Sequence, residues 1–162
     1  MDIRPAAGSE VRLVLFPLAA ILIFSLAGCG GHPSNEIDKE ITTLGTAEVT
    51  AQLVEISEPF PSNDLYNYAY VLKYRVLKVH RGQAPQGEIL VGQYNPLKPR
   101  DRVQDDVSGK VGGHLDAFHA GDVHRIALSA PLDQFWMGGI IDKYFDQPGT
   151  RYWAIWTNPG AK

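Results

Sequence analysis

Two alternating stretches that change phase constrain the fold of this chain more than any other feature. In "AEVTAQLVEIS", residues 47–57, Val49, Ala51 and Leu53 fall on one face, and Glu48, Thr50 and Gln52 on the other. Val54 and Ile56 then become the apolar pair. "YAYVLKYRVLKV", residues 68–79, behaves alike. Leu72, Tyr74 and Val76 oppose Lys73 and Arg75, after which Leu77 and Val79 oppose Lys78 and His80. Strand side chains alternate with a period of two, so a one-residue slip turns every later residue inside out unless a β-bulge absorbs it. Two slips in neighbouring strands predict strands bent around a barrel corner. The alternative is a strand buried on both faces over part of its length.

Three further strands follow. "HRGQAPQG" leads into "EILVGQY", residues 88–94. "HRIALSAP", residues 124–131, sets His124, Ile126 and Leu128 against Arg125 and Ser129; "RYWAIWTN", residues 151–158, is the fifth. Pro59 to Asp64 reads as a proline and Asx turn, and the segment from Asn95 to Asp122 as a long loop. Within "FWMGGIIDKYFD", residues 135–146, the spacing of Phe135, Ile140, Ile141, Tyr144 and Phe145 partly fits a short helix. The expected class is mainly β: a small OB-like barrel or sandwich of about five strands with a short helix.

The start of the chain reads differently. Leu13 to Gly28, "LVLFPLAAILIFSLAG", carries no charge and follows Arg4 and Arg12. That layout is a secretory signal, too short for a membrane span of roughly 20 residues and interrupted by Pro17. It ends on Leu26-Ala27-Gly28-Cys29, which resembles the lipobox of bacterial lipoprotein signal peptides. The resemblance implies that the Cys29 thiol receives a diacylglyceryl group, that the chain is cut before it, and that acyl chains such as palmitate anchor it. It also implies a cell-envelope location facing the periplasm. The outer membrane is favoured if the source has one, because Gly30 rather than Asp follows the cysteine. The alternative is an uncleaved anchor, or an ordinary secretory signal with an incidental cysteine. The expected organisation is a signal peptide over 1–28, a lipidated tether over 29–46 and a β-barrel domain over 47–162. Ile37, Ile41 and Leu44 share one face of a short helix in the tether, with Asn35 as a possible cap. Fully extended, the tether reaches roughly 55 Å.

The order "AEVTAQLVEIS … YVLKYRVLKVHRG … EILVGQY … HAGDVHRIAL" is similar to OB-like barrels of the netrin/TIMP type. It also resembles short β-domains found near alginate-acetylation, SGNH-hydrolase-like proteins. The likeness runs from about Ala47 to Ala130 and rests on "KVHRG" and "AGD". The cysteines that staple netrin-type domains are missing here, as is any hydrolase half, so neither inhibition nor catalysis carries over.

Chemistry-bearing residues are few. His114, His119 and His124 recur every fifth residue, with Asp116 and Asp122 between them. Imidazole and carboxylate suit zinc or copper. A shared helix face needs a spacing of three or four, however, and a strand face needs two. His124 also begins a strand on its apolar face. A second group is aromatic. Tyr94, Trp136, Trp153 and Trp156 offer a platform for a sugar or a partner protein, and alternation places Tyr152, Ala154 and Trp156 on one face. No nucleophile elbow, P-loop or H-E-x-x-H occurs. The net charge of -3 argues against nucleic acid. The expectation is a membrane-anchored, non-catalytic domain without a cofactor, binding an envelope protein or polysaccharide. The alternative is a metal-binding envelope protein using the three histidines.

Overall fold

The structure is a computed structural model and describes residues 38–56 and 67–161. All the described residues belong to one compact unit. The signal segment, Cys29 and the first part of the tether lie outside the described residues.

Five strands close a barrel: β1 (Ala47–Glu55), β2 (Tyr68–Arg81), β3 (Gly87–Tyr94), β5 (Val123–Ser129) and β7 (Arg151–Pro159). Around the barrel the order is β1-β5-β7-β3-β2, and β2 pairs back to β1. Every neighbouring pair is antiparallel except β3 with β7. Counted along the chain as barrel strands one to five, the order is 1-2-3-5-4, which makes the barrel OB-like. Two short strands are appended. β4 (Gly112–Gly113) runs parallel to β7, and β6 (Gly139–Ile141) runs parallel to the start of β2.

The phase slips are bulges. Leu53 pairs with Tyr74 and Glu55 with Lys73, which leaves Val54 as the extra residue of β1. Thr50 pairs with Lys78 and Ala51 with Val76, so Leu77 is extra in β2 and lies exposed. Each bulge re-aims the residues after it and tightens the bend, which lets two strands serve both walls of a narrow barrel. The alternative reading also holds locally. From Tyr68 to Leu72 every residue of β2 is buried. Tyr70 and Leu72 point into the barrel, while Ala69 and Val71 face a second apolar layer outside it.

The interior is filled by Val49, Ala51, Leu53, Tyr74, Val91, Ile126 and Leu128, among others. Burying each of the larger side chains contributes roughly 1.5–3 kcal/mol. Leu115 and Phe118 join this interior from the long 95–122 segment.

Three expectations are corrected. The helix before the barrel, α1 (Lys39–Thr43), is capped by Asp38 rather than Asn35: the Asp38 carboxylate accepts from the Glu40 backbone N–H at 3.0 Å. That helix is part of the folded unit, because Ile41 is buried and Asp38 reaches β7, so the barrel domain begins before Ala47. Residues 135–146 are not helical. A 3-10 turn at Leu132–Gln134 is followed by extended chain and β6, because Gly138 and Gly139 interrupt the helical spacing.

Candidate functional site

OB barrels characteristically bind ligands across the face of barrel strands two and three, aided by the loops that join strands one to two and four to five. In this chain the loop between the fourth and fifth barrel strands, residues 130–150, is long and lies across that face. Leu132, Trp136 and Tyr144 pack on Ala69, Val71, Leu90, Tyr94 and Trp153. Two glycines make the cover possible. A Cβ on Gly92 of β3 would meet Leu132 Cδ1 at 2.1 Å, and one on Gly138 would meet the Trp136 ring at 2.3 Å. Trp136 stacks on Trp153, with centroids 5.8 Å apart and planes 8° apart, and its Nε1–H donates to the Gly139 carbonyl at 3.0 Å. The customary binding face is therefore filled by the chain itself.

What the cover buries on one side it exposes on the other. Met137 is 91% exposed and Phe145 81%, and Phe135 and Ile140 are also open to solvent. Beside them lies a cavity of about 430 Å³ whose walls include Leu132, Asp133 and Ile140. Arg151 holds its rim: Nε donates to Asp142 Oδ2 at 2.9 Å, and further bonds reach the carbonyls of Gln147, Gly149 and Tyr144. These exposed apolar residues thus sit on a braced loop that also carries the exposed charges Asp133, Lys143 and Asp146.

The aromatic candidates form no exposed platform. Tyr94, Trp136 and Trp153 are buried together in the outer apolar layer, and the Tyr94 hydroxyl donates to Asp105 at 2.6 Å. Burial and that neighbouring carboxylate push the Tyr94 pKa up. Trp156 points elsewhere. A bulge between Ala127 and Leu128 of β5 makes Ile155 the extra residue of β7, so Thr157, not Trp156, follows Ala154 inward. Trp156 Nε1–H donates to Asp38 at 2.7 Å, and Asn158 donates to the same carboxylate at 2.9 Å. Burial works to raise the Asp38 pKa, but the bonds from Asn158, Trp156 and Glu40 outweigh it and hold the carboxyl down to about 2.

The histidines part company as well. His114 Nε2 lies 3.2 Å from Asp38, and His119 Nδ1 lies 3.2 Å from Asp122. His124 is fully buried, with Nδ1 3.1 Å from the Tyr74 hydroxyl. Among the described residues no group of three His, Cys, Asp or Glu side chains is placed to hold a metal ion, so His114, His119 and His124 do not come together as the metal-binding alternative requires. Five residues of spacing put these histidines on β4's flank, in a turn and on a strand. Arg100 is another buried polar residue. Its guanidinium donates to the Asn95 and Lys98 carbonyls and lies over the Phe118 ring, and burial pulls its pKa down to about 10.

Met137, absent from the sequence reading, and Ile140 and Phe145, named there in a helical spacing and, for Phe145, among the wider aromatic group, are the residues the structure leaves exposed. Their segment carried a signal, since it holds more apolar residues than one buried face accommodates. Among the described residues no helix is long and apolar enough to cross a membrane. Compared with known proteins, the chain matches no family model, no curated protein and no solved structure.

Proposed function

We propose that this chain is a lipid-anchored cell-envelope protein whose non-catalytic OB-like barrel holds another envelope protein through the outer face of residues 130–150. The observation that carries the binding half is that Phe135, Met137, Ile140 and Phe145 are all exposed on one loop that is itself tied down. Large apolar side chains left open on one short loop are the kind of surface that a partner covers. Bracing by Arg151 lowers the ordering cost of association. Support for the anchoring half comes from sequence: Cys29 ends an uncharged apolar run in a lipobox-like setting. Several acyl chains give stable attachment at about 0.8 kcal/mol per buried methylene.

One experiment addresses both halves. A photo-crosslinking phenylalanine analogue is placed at Met137 of the full chain in intact source cells, with Asp101 as an exposed control position. The expected result is a discrete protein adduct from position 137 that is absent from 101. Phe145→Asp should cut its yield at least about tenfold, as for a central interface residue. Cys29→Ser should move the chain out of the membrane fraction and remove the adduct. Equal adducts at 137 and 101, or a Cys29→Ser chain that stays in the membrane fraction, would refute the corresponding half.

A further inference from the structure

A second recess lies at the barrel mouth where β3 and β7 begin. Two depressions of about 340 and 430 Å³ share Pro85, Thr150 and Tyr152 as walls. The first is closed by Pro148, and the second by Thr46 and Gln83. Tyr152 is half-buried: its ring leans on the barrel interior and is held in place before any ligand arrives. Glu88 lies on the wall of the first depression, and its carboxylate is 3.6 Å from the Arg75 guanidinium. Among the described residues, the recess offers two threonine hydroxyls, a glutamine amide, a phenol and two proline rings, and its one carboxylate, Glu88, is paired with Arg75.

That lining selects among ligand classes. A phosphate or carboxylate ligand would need a cation on these walls, and a cationic ligand would need an unpaired carboxylate. A pyranose ring, by contrast, has C–H faces for aromatic and proline surfaces and hydroxyls at its edge for amide and hydroxyl partners. Polar groups set beside aromatic and proline surfaces are what fixes such a ligand's orientation. Two adjoining depressions also suit a chain of rings better than a single one. We propose that this recess binds a strand of neutral polysaccharide, with Tyr152 stacking on a ring and Gln83, Thr46 and Thr150 bonding its hydroxyls. The site is distinct from the Met137–Phe145 patch, although the cavity beside that patch also touches Gly149 and Thr150.

The test is isothermal titration calorimetry of the full chain in detergent against cellotetraose, maltotetraose and chitotetraose, with polygalacturonate as the charged comparison. Saturable binding of at least one neutral tetrasaccharide is expected. Tyr152→Ala and Gln83→Ala should each weaken it about tenfold, equivalent to 1.4 kcal/mol. Gln83 is exposed, so its replacement leaves the core intact even if Tyr152→Ala does not fold. The proposal is overturned if none of the three titrates, if Gln83→Ala changes nothing, or if polygalacturonate binds more tightly. A doubly substituted Met137→Asp, Phe145→Asp chain should bind the sugar unchanged. Loss of sugar binding in that variant would also overturn the proposal, by placing the sugar on the apolar patch instead.

Discussion

His124 packs between the Tyr74 and Phe118 rings, with one ring nitrogen facing the Tyr74 hydroxyl and Nε2 facing no partner among the described residues. Burial disfavours its charged form and holds its pKa down to about 4. In the unfolded chain it protonates near 6.5, so the unfolded state takes up the proton first as pH falls. The stability that neutral His124 contributes is complete above pH 6.5 and is lost progressively between 6.5 and 4. The linkage is worth on the order of 3 kcal/mol. His80, whose pKa is lowered by burial and then by Arg125, acts in the same direction. Urea denaturation across this range should show the loss, and His124→Gln should flatten most of it. A pH profile unchanged by that substitution would contradict the assignment. His124's place on an apolar strand face was legible from alternation. The fate of His114 was not, because its partner Asp38 lies far away in sequence.

The loop over residues 130–150 behaves as an extra layer of the barrel wall, with an inner side of Leu132, Trp136 and Tyr144 and an outer side of Phe135, Met137 and Phe145. The two sides should differ sharply when truncated. Trp136→Ala removes a stacked, buried ring and should cost about 3–5 kcal/mol. Met137→Ala removes an exposed side chain and should change stability by less than about 0.5 kcal/mol. Chemical denaturation measures both, and amide exchange should show Gly139–Ile141 opening in the first variant alone. Similar losses for the two would mean that the loop is not layered in this way. Most of the barrel could be read in the sequence because β1, the second half of β2 and β5 alternate in runs, and the bulges at Val54 and Leu77 left a visible change of phase, whereas β3 is a continuous apolar run and the bulge at Ile155 hid the true face of Trp156. The loop has no period to read. Its side chains are sorted by a face of β3 that exists only after folding, and by Gly92, whose missing side chain makes room for Leu132. The aromatic group failed for the same reason, since Tyr94 and Trp153 lie under a cover that no local pattern announces.

At the scale of the molecule, the segment before β1 belongs to the fold. Asp38 accepts from Trp156 and Asn158 of β7, and Ile41 is buried behind it. Arg81 at the end of β2 donates to the Leu44 and Gly45 carbonyls and secures the other end of the same segment. Asp38→Ala leaves the Trp156 and Asn158 donors without their acceptor and should cost about 1–3 kcal/mol. Thermal unfolding checks the figure. The difference from wild type should shrink as pH falls from 3.8 towards 2, where the carboxyl itself takes up a proton. A variant as stable as wild type at neutral pH would mean that α1 is not latched. The latch also resets a length. Asp38, the first described residue, is held on the barrel and follows Cys29 by nine residues, which reach at most roughly 30 Å instead of 55 Å. On the proposed anchoring, the volume the barrel can search shrinks roughly sixfold and its effective concentration toward anything at that membrane rises in proportion. A weak contact made by Met137 and Phe145 would then suffice close to the lipid and be of little use beyond it.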